Sequence, residues 1–445
     1  MAGSVFDSPM YARLFPATEV GRLFTDSAEI RAMILVEGAL AKAQGALGVI
    51  PETSAAAISR AAMEIQIDPG QLADPTGQNG VCVPGLVAAF RTEMQAPEHA
   101  QYLHWGATSQ DIIDTGLMLR LRQALAQMEN GLRGVIAPLA ALAETHADLP
   151  MPARTFGQHA TPTSFGAVTA AWGMPLINLM RELPALRADC LLVSLSGAAG
   201  TASALGPLAA ETRARLAADL RLGDPGRSWH TDRTPILRIA DWMTRTALAL
   251  GKIGEDATAM VQTGIAELDL GGAGSSSTMP QKQNPVAPSV LVALARHTAG
   301  QTATLNGAAM PRHQRDGAAW FTEWMCLPQI VLGAGSALQV AGALCAAMAP
   351  KPDAMNAAFT GGLDMIHAEA LSFALTAHMP RPEAQAAVKS ACREALESGT
   401  PLARIAAQRW PDLDTATLFA PAAQMGQAPA EARAFAALAR ELAPA

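Results

Sequence analysis

The sequence predicts an all-α protein organised around a bundle of long helices, on three observations. Apolar residues recur three and four positions apart along most of the chain, the spacing of one helical face. Hydrophobic residues make up 50% of the sequence but aromatics only 4%. Cores must therefore be packed with Ala, Leu, Val, Ile and Met, and the small side chains among them let helices approach closely. No region reads as strand-dominated, and no short-period repeat is present. At 445 residues the chain exceeds what one core usually serves, and length suggests about three domains. The pattern places an N-terminal helical domain at 1–110, the central long-helix bundle at 111–350 and a C-terminal helical domain at 351–445.

The first clear helix is expected over 25–50. Asp26 and Glu29 have the spacing of a capping box. Met33, Val36, Leu40, Ala43 and Leu47 fall on one face, and Gly48–Pro51 end it. Residues 68–85, rich in Gly, Pro, Asn and Gln, read as loop. From about 111, Ile113, Leu117, Leu121, Leu125 and Met128 mark a long helix. A Pro-containing break follows at 147–166, then helix from about 166 to 195. A Gly/Ala-rich break at 197–206 precedes more helix. Pro235 is placed at the first position of another helix. Ile236, Ala240, Met243, Ala247, Leu250, Gly254, Ala257 and Val261 continue one face of it without a stop. That run exceeds about 25 residues, or roughly 40 Å, a length typical of bundles and coiled coils. A further helix is expected from Pro285 to about 305, and the Pro/Gly-rich stretch 348–362 reads as a boundary.

The formal net charge is −7 and the sequence pI about 5.7. No dense Lys/Arg run is present, which argues against a nucleic-acid partner. An anionic substrate would need local cations to overcome the global sign. Cys82, Cys190, Cys326, Cys345 and Cys392 are odd in number, far apart and without a CxxC pair. They read as free thiols, with neither a disulfide framework nor a zinc site. The opening MAGSVFDSPMYARLF lacks the charged region and apolar run of a signal peptide. No uninterrupted apolar stretch reaches about 18 residues, so no membrane span is expected. A cytoplasmic enzyme fits these traits.

Three polar islands interrupt the apolar periodicity. The first is HWGATSQDIIDT at 104–115. Thr108 and Asp111 have capping-box spacing, with Ser109 an alternative cap. Capping leaves His104, Trp105 and Gly106 unexplained. The second is ARTFGQHATPTSFG at 153–166. A lone histidine such as His159 is more often structural than catalytic. Yet Arg154, Gln158 and His159 together supply a fixed cation, an amide and a group that titrates near neutral pH. Arg can grip a carboxylate with two parallel hydrogen bonds. The third is GSSSTMPQKQNP at 274–285. Gly274, with Gly271 and Gly272 just before it, fits a linker, and Asn284–Pro285 fits a helix cap and first residue. Ser275, Ser276, Ser277 and Lys282 are left over. A lysine beside a helix N-terminus makes an anion site, and the GxxxxGK[ST] of a phosphate loop is absent.

SSTMPQKQNP resembles the signature of the fumarase/aspartase superfamily, in which two Ser precede Met-Pro, then Lys, then Asn-Pro. HWGATSQDIIDT resembles that superfamily's first shared region and RTFGQHATPT its second, in the same order. FTDSAEIRAMILVEGALAKAQGALGVIP and GLDMIHAEALSFALTAHMPRPEAQAAV are similar to the adenylosuccinate lyase-like branch, so the likeness covers nearly the whole chain. It implies the superfamily's all-α fold, a homotetramer with shared active sites where three regions from three subunits meet, and no cofactor or metal. One departure is informative. Most lyases of the superfamily carry Thr-His in the second region, whereas Phe156 stands there in this chain. An aromatic followed by Gln158-His159-Ala160-Thr161-Pro162 resembles the bacterial 3-carboxy-cis,cis-muconate cycloisomerases.

That resemblance implies a cycloisomerase acting on a small tricarboxylate in the β-ketoadipate route, with no nucleic-acid or membrane partner. One carboxylate adds to a C=C bond, and a proton goes to the carbon α to another carboxylate. The catalytic residues implied are Ser276 for the proton, Lys282 for the developing charge and His159 as relay or positioner. Substrate binding is expected from His104, Thr108, Ser109, Arg154, Thr155 and Gln158. Ser277, Met279 and Asn284 in the third island, and His230 and Arg233 in SWHTDRTP, complete the expected set. The alternatives are a C–N lyase of the adenylosuccinate type, against which Phe156 argues, and a non-catalytic helical scaffold, which would not need the polar islands.

Overall fold

The computed structural model describes residues 3–272, 274–275, 279 and 282–442. The architecture is all-α, as predicted, with a few short strands. The principal elements in chain order are α1 (Asp26–Ala46), α2 (Ser109–Thr145), the hairpin strands β1 (Pro150–Thr155) and β2 (Gln158–Ser164), α3 (Phe165–Cys190), α4 (Thr234–Met260), α5 (Val286–Leu305) and α6 (Gly317–Ala347).

The helical periodicity translates directly into burial. Ile236, Ala240, Met243, Ala247, Leu250 and Ala257 of α4 have no exposed surface. So do Leu121 and Leu125 of α2. Small residues permit the close approach expected from the shortage of aromatics. A Cβ on Gly254 of α4 would lie 2.5 Å from the carbonyl oxygen of Pro288 on α5. In α1 a Cβ on Gly45 would lie 2.3 Å from that of Ala55 in the following helix, Glu52–Glu64.

Four local expectations change. The cap of α1 is Thr25, whose hydroxyl accepts the Ala28 N–H at 3.2 Å, and Asp26 and Glu29 fall in the first turn. The presumed loop at 68–85 contains a 3-10 turn, Pro69–Leu72, and the helix Ala73–Asn79, which ends at Gly80 with φ +70°. It also contains the start of the helix Val83–Met94. The break at 147–166 is the β1–β2 hairpin. Pro152 faces Pro162 there, with a register shift between Pro152 and Arg154, so the strands persist where neither residue can donate. Within 348–362, Ala349–Pro350 pairs with Leu268–Asp269, and Pro352–Thr360 is helical.

The chain folds as two compact units, each built from three stretches. The first comprises 1–131, 179–248 and 293–339, the second 132–178, 249–292 and 340–445. The core of the first contains Met33, Leu40, Ile58, Phe90, Ile112 and Val193 among others. In the second, the C-terminal helices pack through Leu371, Leu375, Val388, Leu402 and Ile405. All five cysteines are free thiols. Burial pushes the Cys345 thiol up to about 12, which leaves it inert. Among the described residues α6 alone is long and apolar enough to cross a membrane by length and composition, and 67% of that window is buried inside the fold. It reads as a core helix.

Candidate active site

In the first unit, α2 begins at Ser109, and Thr108 stands at its N-cap position. The Thr108 N–H donates to Asp111 Oδ2 at 3.0 Å, and the Asp111 N–H donates to the Thr108 carbonyl at 3.0 Å. That is the reciprocal half of the capping box. Asp111 does far more than cap. Its side chain is fully buried and accepts from Ser194 Oγ at 3.1 Å, from the N–H groups of Ser196 and Gly197 at 2.9 Å each, and from His230 Nε2 at 2.8 Å. One carboxylate thus joins the start of α2, the 194–197 segment and the 230 loop.

One turn along, Asp114 meets Arg233. The guanidinium donates to Asp114 at 2.8 and 3.0 Å and to Glu323 at 2.6 and 2.8 Å. It also stacks over Trp229, 4.9 Å from the ring centroid. Burial opposes its charge, but the two carboxylates outweigh that and hold its pKa above the ordinary range. Two anions on one cation leave a negative surplus, and burial pushes the Glu323 carboxyl up against the pull of Arg233. Arg233 and His230 were expected to bind substrate. Both are buried, and Arg233 has both edges occupied by protein carboxylates. The guanidinium is thus forked on two sides by protein, while His230 gives Nε2 to Asp111 and its buried Nδ1 has no hydrogen-bond partner among the described residues.

His104 has a left-handed backbone, φ +65°, followed by Gly106 at φ +72°. The positive φ favours glycine at 106, and a Cβ there would also lie 2.6 Å from Leu205 Cδ2. His104 Nδ1 lies 2.6 Å from the buried Glu37 carboxylate. Burial lowers the His104 pKa, but the charge and hydrogen bond of Glu37 more than reverse this, and the net shift is upward. Thr108 and Ser109 are half-buried at the start of α2. A residue absent from the sequence-based set joins them. Arg315 donates from Nε to Gln110 Oε1 at 3.0 Å, and from Nη2 to Thr108 Oγ1 and the Ala198 carbonyl at 3.2 Å each. The only sequence signal for it was the polar run MPRHQRDG at 310–317.

In the second unit, Thr155 and Gln158 close the β1–β2 hairpin, with Phe156 and Gly157 at its tip. Their φ angles are +52° and +73°, the pattern of a two-residue hairpin turn that normally selects Asn, Asp or Gly. Phe156 is fully exposed. Arg154 was expected to grip a substrate carboxylate through two parallel bonds. Here that fork holds the buried Glu267 instead, at 2.6 and 2.7 Å. Its Nη2 also lies 3.4 Å from His159 Nε2. A guanidinium has only donors, so in this contact His159 Nε2 is the acceptor. Gln158 and His159 line a cavity of about 370 Å³ whose other wall includes Phe359, Gly362, Met365 and Ile366.

The third island is closed by the pairs Gly274–Asn284 and Ser275–Gln283. Ser276 and Ser277 lie outside the described residues. Met279 and Lys282 are exposed, and the Lys282 N–H donates to the Met279 carbonyl at 3.0 Å. α5 starts at Val286, one residue after Pro285. Gly274, and Gly271 just before the island, have a steric reason. A Cβ on Gly271 would lie 2.6 Å from the carbonyl oxygen of Ala347, and one on Gly274 would lie 2.6 Å from Val286 Cγ2.

A family profile described as lyase matches residues 15–300. The chain is 36% identical over 441 residues to a 3-carboxy-cis,cis-muconate cycloisomerase of Pseudomonas aeruginosa, covering 96% of this chain and 94% of that protein. It is 35% identical over 417 residues to a nitrosuccinate lyase of Streptomyces davaonensis, covering 90% and 87% respectively. The crystal structure of the 3-carboxy-cis,cis-muconate lactonizing enzyme of Pseudomonas putida superposes with a TM-score of 0.91 at 31% identity, over 98% of this chain and all of that one.

Proposed function

The chain belongs to the lyase family of the fumarase/aspartase superfamily, and on that premise we propose that it is a lactonising cycloisomerase converting 3-carboxy-cis,cis-muconate to 4-carboxymuconolactone in the β-ketoadipate route. The observation that carries this reading is the near-full-length likeness, at 36% identity, to an enzyme of that name. Phe156 supports it, because a phenyl ring cannot move the proton that Thr-His lyases handle at that position.

In the reaction, a carboxylate oxygen forms a C–O bond to one carbon of the diene. The electron pair of that C=C moves toward the carbon α to another carboxylate, and a proton is delivered there. Nucleophile and electrophile share one molecule, so the protein chiefly orients groups and handles charge. Lys282, Asn284 and loop amides stabilise the negative charge that builds on the carboxylate. Ser276, by its place in the signature, donates the proton, and Ser277 and Met279 contribute to substrate binding. His159 positions the attacking carboxylate or relays a proton, and Arg154 holds its ring. His104, Thr108, Ser109, Thr155 and Gln158 contribute binding. The working form is a homotetramer whose active sites are shared between subunits, in the cytoplasm, and the three-part division at 110 and 350 marks its functional regions.

The test is direct. Purified protein is mixed with 3-carboxy-cis,cis-muconate, and loss of the conjugated-diene absorbance is followed. Turnover to the lactone supports the reading. The nitrosuccinate lyase at 35% identity makes elimination the second reading. Release of fumarate from nitrosuccinate or adenylosuccinate, without turnover of the muconate, would establish that one instead.

A further inference from the structure

We propose that Glu37 is a positioning residue of the first island, which holds His104 by Nδ1 so that the ring presents Nε2–H, as an imidazolium, to a substrate carboxylate. The inference deepens the proposed function and rests on its assignment of His104 to substrate binding.

The first support is charge. Glu37 lies on α1 and is 1% exposed. Its Oε1 is 2.6 Å from His104 Nδ1, and its Oε2 has no hydrogen-bond partner among the described residues. A buried carboxylate is costly unless a cation and a hydrogen bond answer it. A protonated His104 supplies both. The charged groups that face the ring are Glu37 from α1, Asp111 from α2 and Arg91 from the helix Val83–Met94. Burial opposes the imidazolium and so does Arg91, but Glu37 and Asp111 favour it and prevail.

The second support is geometry. His104 Nε2 makes no hydrogen bond to the described residues and is not enclosed, and the side chain keeps 19% of its surface exposed. One edge of the ring is thus taken by Glu37 and the other is left for a ligand. The backbone that carries the ring is fixed on both sides. Gln44, seven residues after Glu37 and on the same face of α1, donates to the Trp105 carbonyl at 2.7 Å. Arg91 donates to the carbonyls of Ala100 at 3.2 Å and Leu103 at 3.0 Å. Between these anchors His104 adopts φ +65°, a conformation that persists in a bulky residue only where the surroundings enforce it. The ring stands four residues before Thr108, at the end of α2 whose dipole favours an anion. A cation fixed there has lost its rotamer freedom before a ligand arrives, which favours binding.

The bland alternative is that Glu37 only fastens the 100–106 segment to α1. Glu37→Gln separates the two, because the amide oxygen still accepts from Nδ1 while the charge is gone. His104 then gives up its proton at a lower pH. At about pH 7, KM for the muconate should rise about tenfold, the difference between a charge-assisted and a neutral hydrogen bond, with kcat changing less than about threefold. The gap from the wild type should narrow as pH falls toward about 5.5, where the ring gains its proton without help. A fastener alone would leave KM within about twofold, or raise it by the same factor at every pH, and either result overturns the inference. Adding Glu37→Gln to His104→Gln should change KM less than about twofold, because Glu37 acts through the ring, and a further tenfold rise overturns it. If Glu37→Gln does not fold, Glu37→Asp decides, since it keeps the charge but withdraws it from the ring. A KM raised at about pH 7 and converging on the wild type at about pH 5.5 is expected, and an unchanged profile overturns the inference.

Calorimetry with the simple tricarboxylate tricarballylate separates this inference from the functional reading. If the wild type does not turn over the muconate, the function is wrong. Glu37 still stands if tricarballylate binds the wild type and binds Glu37→Gln about tenfold more weakly at about pH 7, with a gap that narrows at lower pH. Equal binding, a gap independent of pH, or no binding by the wild type overturns it.

Discussion

Replacing Asp111 by Asn removes a charge while keeping the shape, and the structure says which hydrogen bonds must fail. Oδ1 of Asp111 accepts three donors, from Ser194 Oγ, the Ser196 N–H and His230 Nε2. Oδ2 accepts two, from the N–H groups of Thr108 and Gly197. An asparagine must turn its NH2 toward one side. Facing Oδ1's partners is the lesser loss, because Ser194 Oγ and His230 Nε2 can accept from it, and it sets a donor against one backbone N–H, that of Ser196. Hydrogen bonds to a charged group are worth about 1.5–3 kcal/mol each, so losing that one costs at least about 1.5 kcal/mol. The assay is amide hydrogen exchange, followed by mass spectrometry on a peptide spanning 190–200. It reads local opening without requiring the whole chain to unfold in one step. At about 1.4 kcal/mol per tenfold, the Ser196 amide should exchange at least about tenfold faster in Asp111→Asn. Exchange within about threefold of wild type would refute the assignment of Asp111 as the buried hub.

Four further outcomes are expected. Arg233→Met leaves Asp114 and Glu323 buried without their cation and should cost about 3–5 kcal/mol, read as a large fall in melting temperature. His104 has its pKa raised above 6.5 by Glu37. The stability it contributes is complete below pH 6.5 and is lost as pH rises through the higher folded value. Melting temperature should therefore fall across that window in the wild type, and His104→Gln should flatten the profile. Phe156→Asn relieves a left-handed backbone that disfavours a bulky side chain and should stabilise the hairpin by about 1 kcal/mol. A lowered melting temperature would show that the exposed ring is gripped in the assembled protein. Lys282→Met should lose about 3–4 kcal/mol of transition-state stabilisation, seen as a kcat lower by a hundredfold or more with substrate still bound. Near-normal kcat would remove Lys282 from the charge-stabilising role.

The spacing of apolar residues determined α4 and α2, because a 3.6-residue repeat has one way to bury its face. The shortage of aromatics forecast close helix contacts, and the approach of Gly254 to Pro288 is one of them. The ordered motifs, and Phe156 where a histidine was expected, were equally open to inspection. What the sequence could not settle was which charge answers which. Asp111 looked like a cap because its partner Thr108 is three residues away. Its other donors come from 83 to 119 residues further along. Arg154 had the chemistry to bind a substrate carboxylate, but Glu267, 113 residues distant, takes both of its parallel bonds. Arg315 belonged to no motif and gained its place only through Gln110, 205 residues earlier. Local spacing dictates which face of a helix is buried. Partners of buried charges are chosen by proximity in the folded chain, where an unpaired ion is costly, and only the tertiary structure decides that.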